Sequence, residues 1–211
     1  MTKKTLLLFG LTGVLFSSCI EHEVIPPPTP MVDLYAHFEG NINGTDVEWT
    51  ENVNGYANIS EKAKVILPPP SSSLAVYYSQ MSSNQMIPSI KIAMGAIPWD
   101  ASLSADPSLT QFNDFFLGYA SPTDPAYSDG AMAGFEVTYR DAFGIEWTTS
   151  QTSVNPQSVS FTGITQESDE TGDYTKFICS FDCWVYYTDP LSGDTDSLEI
   201  TNAIYQGWFR R

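Results

Sequence analysis

The stretch YTKFICSFDCWVYY, residues 174 to 187, alternates without a break. Thr175, Phe177, Cys179, Phe181, Cys183, Val185 and Tyr187 fall on one side, and Lys176, Ile178, Ser180, Asp182, Trp184 and Tyr186 on the other. Period-two alternation over this length predicts one long strand whose odd face lies in the core. The two cysteines inherit a geometry from it. Four residues apart on a regular strand is about 13 Å, whereas a disulfide needs Cα atoms within about 7 Å. Cys179 and Cys183 are therefore expected as buried free thiols. No histidine or further cysteine completes a ligand set around them, so no metal is expected there.

Strand signals recur from residue 33 onward. VDLYAHFEGNINGTDVEWT puts Leu34, Ala36 and Phe38 on one face and turns at Asn43-Gly44 toward Val47 and Trp49. Asn-Gly between alternating runs is a strong hairpin signal. KAKVIL and SLAVYYSQ flank Pro68-Pro69-Pro70, which a central strand could not contain. PSIKIAMGAI runs through Ile90, Ile92 and Met94. GFEVTYRDAFGIEWTT pairs Phe135, Val137 and Tyr139 with Ile145 and Trp147 across Asp141–Gly144. SVSFTGI precedes the cysteine strand, and DSLEIT and NAIYQGWFR read as a closing pair. One helix is expected near 106–117, capped by Asp106, with Pro107 in its first position and Leu109, Phe112 and Phe116 on one face. Many short strands with regular turn signals predict an all-β fold. The expected architecture is a two-sheet antiparallel β-sandwich, Ig-like or jelly-roll-like, with that helix covering one end.

The N-terminus reads differently. Lys3 and Lys4 precede an apolar run from Leu6 to Phe16, then Ser17-Ser18-Cys19. A charged end, a short apolar core and a small-residue exit are the parts of a secretory signal peptide, and the run is far shorter than the ~20 residues of a membrane span. Leu15-Phe16-Ser17-Ser18-Cys19 resembles a bacterial lipobox, which implies cleavage after residue 18 and a lipid on Cys19. Residues 19–32 hold four prolines and no apolar period, as expected of an extended tether. At ~3.1 Å per residue the tether reaches roughly 40 Å. Residues 33–211 are expected to form a single domain.

Three motifs carry a resemblance over residues 133 to 211. Tyr139, Asp141, Gly144 and Trp147 form a Y-x-D-x-x-G-x-x-W hairpin, and Phe181, Cys183 and Tyr186 an F-x-C-x-x-Y strand. Thr201, Asn202, Ala203, Tyr205 and Gly207 form a closing strand. These resemble the C-terminal half of small uncharacterised surface lipoproteins of the Bacteroidota. Glu21 and Glu23 behind Cys19 are similar to the surface-export signals of such proteins. The resemblance implies a fold and a place in the cell envelope, outer-membrane and lipid-anchored; it implies no activity.

The chain has 9 basic and 25 acidic residues. Losing Lys3 and Lys4 with the leader leaves 7 basic residues and a net charge of −18. Such a balance repels a phosphate backbone, so no nucleic-acid partner is expected. The only histidines are His22, in the tether, and His37, on the solvent side of the first strand. There is no G-x-S-x-G elbow, phosphate loop or H-E-x-x-H, and the expectation is a non-enzymatic protein without a cofactor. A glycosidase-like carboxylate pair stays open with this many acids. Trp184 and Tyr186, on the outer face of the cysteine strand, and Trp99, expected in a loop, could bind a ligand; aromatics beside carboxylates stack on sugars or anchor proteins. Partners are accordingly the membrane through Cys19, a protein of an outer-membrane assembly, or a glycan of an uptake system. Asp189, Asp194 and Asp196 cluster at a turn without calcium-loop spacing and are expected as a solvated tip. Asp196-Ser197-Leu198 resembles a Bacteroidota O-glycosylation site at Ser197.

Overall fold

The computed structural model describes residues 31–120, 125–128, 130 and 134–211. The segment expected as a signal peptide, Cys19 and the expected tether up to Pro30 lie outside the described residues. Strands β1 (His37–Ile42), β2 (Thr45–Thr50), β3 (Tyr56–Val65), β4 (Ser73–Ser83) and β5 (Ser89–Trp99) precede helix α1 (Leu109–Leu117). Strands β6 (Glu136–Arg140), β7 (Glu146–Thr149), β8 (Ser158–Asp169), β9 (Gly172–Thr188) and β10 (Thr195–Arg210) follow. The fold is an all-β antiparallel sandwich with one short helix.

Both layers belong to one hydrogen-bonded path, β2-β1-β10-β9-β7-β6-β5-β4-β3, with β8 also on β9. The 17 residues of β9 make this possible. Along one edge β9 takes β8 over Gly172–Asp182 and then β7 at Val185 and Tyr186. Its other edge pairs with β10 from Tyr174 to Thr188. β9 is thus a member of the layer β8-β9-β10-β1-β2 and the hinge to the layer β7-β6-β5-β4-β3.

The alternation of β9 is realised as expected. Thr175, Phe177, Cys179, Phe181, Cys183 and Val185 are all buried, and both cysteines are free. Phe209 of β10 stacks on Phe177 at 4.7 Å and on Phe116 of α1 at 4.6 Å, which pins the helix over one end of the core. Phe112 meets Tyr77 of β4 edge-on at 5.0 Å. Across the layers, the buried Tyr205 hydroxyl, the Ser79 hydroxyl and the Asn58 carboxamide oxygen lie 2.9 Å from one another, so these polar atoms are satisfied inside the sandwich.

Two expectations are corrected. The helix is capped by Ser108: its hydroxyl accepts from the Gln111 amide at 3.2 Å, and the Gln111 side chain accepts from the Ser108 amide at 2.9 Å. This reciprocal capping box satisfies two helix-end donors at once. Asp106 lies before the helix and instead receives Lys62 at 2.8 Å and Lys64 at 3.2 Å, and Leu109 stays exposed. The closing pair of strands is one strand, β10, with a bulge between Ile200 and Ala203. Leu198 and Ile200 face the core on even positions, and Ala203, Tyr205, Gly207 and Phe209 on odd ones. One extra residue restores the phase, and Asn202 absorbs it at φ 51°. Gly40 of β1 must pass this bulge, since a Cβ there would come within 3.0 Å of the Ala203 Cα.

Phe209→Ala should cost about 3–5 kcal/mol, the usual range for a core phenylalanine, read as a lowered urea midpoint at unchanged slope. Asn202→Gly should be near neutral while Asn202→Val destabilises by about 1–3 kcal/mol, because a β-branched residue resists the left-handed region.

Candidate functional site

Each aromatic named from the sequence as a ligand contact has a defined place. Trp99 ends β5 rather than standing in a loop, and it is only 2% exposed. Its indole N–H donates to the Ser104 carbonyl at 3.1 Å, and its ring joins the core. Trp99 is thereby removed as a surface contact. A phase shift explains this: Gly95 at φ 105° sits where Tyr77 opposes two residues of β5, so Ile97 and Trp99 turn inward after Ile90, Ile92 and Met94.

Trp184 and Tyr186 do lie on the outer face of β9, both half-buried. The Tyr186 hydroxyl is held by Ser153 Oγ at 2.7 Å and Asn155 Nδ2 at 3.2 Å, both from the loop between β7 and β8. Strand register then sets its neighbours. Tyr186 is opposite Thr148, Thr148 opposite Thr138, and Thr138 opposite Lys91, which gives one polar row across four strands. A groove of about 430 Å³ runs along this row, with Glu136 and Glu146 on its walls. Lys91 Nζ stands 5.2 Å from the ring centre of Tyr78, a cation–π distance. Burial, reinforced by the negative charges of Glu136 and Glu61, raises the Tyr78 phenol above its ordinary pKa, so it remains a hydrogen-bond donor at neutral pH. The row offers hydroxyls, two carboxylates and one ammonium, a set suited to a polyhydroxylated ligand.

The other named residues are dispersed. Ser197 is exposed on β10 opposite Tyr186. The Asp189 carboxylate accepts the Leu191 amide at 2.7 Å and so closes its own turn, while Asp194 and Asp196 face solvent. Among the described residues no group of three or more His, Cys, Asp or Glu is placed to hold a metal ion. His37 is half-buried, 3.2 Å from the Thr50 hydroxyl and stacked on Tyr35, instead of standing free. A shallow depression of about 600 Å³ over the β1–β2 hairpin gathers Glu39, Asp46 and Glu48 without any basic partner in its lining.

The motif residues hold structure. Asp141 accepts the amides of Phe143 and Ile145 at 2.8 and 2.9 Å and the Trp147 indole at 3.1 Å, while Gly144 adopts φ 83° to close the turn. Gly207 leaves room where a Cβ would meet the Ser79 hydroxyl at 2.6 Å. Lys91, Glu136, Thr138 and Thr148 went unnoticed in the sequence. Each occupies an outward position in an alternating run, which was the available signal. Comparison with protein-family models, curated proteins and solved structures finds no match for this chain.

Burial pushes both core thiols far above the ordinary cysteine pKa. In the Cys19→Ala chain, a thiol-specific reagent at pH 8 should leave Cys179 and Cys183 unmodified in the native state and label both in denaturant. Labelling of the native protein within minutes would contradict the packing described.

Proposed function

We propose that the protein is a cell-envelope lipoprotein, held in the outer membrane through Cys19, whose β-sandwich serves as a non-enzymatic binding or accessory module of an envelope assembly. The observation that supports this reading is the sequence Leu15-Phe16-Ser17-Ser18-Cys19 followed by the proline-rich residues 19–32. At the start of the described chain the Val32 amide donates to Asp169 at 2.7 Å. Hydrogen bonds from the Thr171 hydroxyl and the Val32 amide hold the Asp169 carboxyl down at about 2, so it is charged at neutral pH. The spending of Asp141, Asp169 and Asp189 on turns also favours a binding role over a catalytic one. Triple acylation of Cys19, as in the lipoproteins it resembles, makes the anchor permanent, since each buried methylene contributes about 0.8 kcal/mol.

A second reading has its own observation. The polar row from Lys91 to Tyr186 fits a sugar's hydroxyls, and Trp184 lies next to it on the same strand face. This supports a glycan as the ligand of the module.

Metabolic labelling with a palmitate analogue should mark the wild-type chain and not Cys19→Ala; equal labelling of the two would remove the anchor. A glycan array probed with the full chain in detergent tests the second reading. Binding that Thr148→Ala and Trp184→Ala each weaken at least tenfold is the expected result, and an array without binding eliminates the glycan.

A further inference from the structure

Four loops adjoin one another in succession along one rim of the strand path. Ser89 at the start of β5 pairs with Arg140 at the end of β6, which sets the 84–88 turn beside the 141–144 turn. The 51–55 loop joins them, with the Ser83 hydroxyl donating to the Asn54 carbonyl at 2.6 Å and the Tyr56 hydroxyl to the Pro88 carbonyl at 3.2 Å. Asp141 holds Trp147, and Trp147 packs on Tyr187 at 5.7 Å, just ahead of the 189–194 turn. Every one of these loops carries an apolar side chain at its tip. Phe143 is 89% exposed and Leu191 96%, and Val53, Met86 and Ile87 are each about half exposed. Isolated exposed apolar residues are ordinary, but one per loop on four adjoining loops is a patch.

The patch is elongated: Glu51, at the start of the 51–55 loop, exchanges hydrogen bonds with Ala36, four residues from Val32, whereas Leu191 lies far from where the chain enters. Val32 is bound beside the turn between β8 and β9, and Leu191 follows the other end of β9. At about 3.3 Å per residue, the 17 residues of β9 put them at most roughly 50 Å apart, measured along the strand.

We propose that these loop tips are the docking surface of the module, and that the occupant is a protein with apolar sockets in a basic surface. This inference rests on the binding-module reading and names its face. Charge selects the occupant. Asp141, Glu146, Asp189, Asp194 and Asp196 lie in or next to these loops, with Arg140 as the basic residue among them. An anionic bilayer would be repelled by that set. A second copy would bring the same acidic face against itself in a two-fold contact. A basic partner gains steering and a complementary rim, while Phe143 and Leu191 supply the buried anchors.

The test places a photo-crosslinking phenylalanine analogue at position 143 or 191 of the full chain in its producing cells, with positions 103 and 165 as controls elsewhere on the body. Positions 143 and 191 should give adducts to one and the same protein, through peptides rich in Lys and Arg. Met86→Ser with Val53→Ser should cut that adduct at least fivefold without shifting the thermal midpoint by more than a few degrees. Several results overturn the proposal: adducts at twice the protein's own mass, adducts to lipid alone, or equal yield at all four positions. Adducts from 103 or 165 but not from the tips refute this face and leave the binding module standing. No protein adduct from any position refutes both.

Discussion

The sandwich depends on the pairing of β9 with β10. These two strands share fourteen Cα partners across one interface, and their inner faces supply Phe177, Cys179, Tyr205 and Phe209 to the centre of the core. Everything else attaches to this ribbon. β8 and β7 divide the far edge of β9, β1 adds to β10, and α1 is held by the stack of Phe116 on Phe209 on Phe177. A strand long enough to serve two layers removes the need for a separate hinge, and among the described residues both cysteines stay free in the core.

Legibility in the sequence followed the reach of period-two alternation. Each inward residue of β9 could be read from residues 174 to 187, and so could the Asn43-Gly44 hairpin and the all-β class. Alternation fails where an extra residue enters a strand. The bulge at Asn202 made β10 read as two strands, and the shift at Gly95 made Trp99 read as a loop aromatic when it is core. The helix was located correctly but its cap was not, because Asp106 and Ser108 are both good capping residues. What decided between them was tertiary: Lys62 and Lys64 of β3 claim the Asp106 carboxylate.

The candidate site was less legible for a different reason. A row such as Lys91–Thr138–Thr148–Tyr186 exists only once four strands are in register, and the sequence of any one strand contains a single member of it. Tyr186 was recognisable alone; the threonines were not. The loop tips were equally hidden, since an exposed Phe143 or Leu191 means little until four turns are brought together. The acidic excess, which in the sequence excludes only a nucleic-acid partner, gains direction from the fold, because carboxylates flank the Phe143 and Leu191 tips while Val32 is bound beside the turn at the other end of β9.

The central claim is this polarity, with the proposed anchor attached beside one end of β9 and the Phe143 and Leu191 tips of the proposed docking surface at the other. It can be measured on the full lipidated chain in a bilayer containing energy-transfer acceptors, with a donor dye on Glu170→Cys or on Leu191→Cys. The account predicts clearly stronger transfer from position 170, beside the tether junction, than from position 191. Equal transfer from both positions, or stronger transfer from 191, would contradict it.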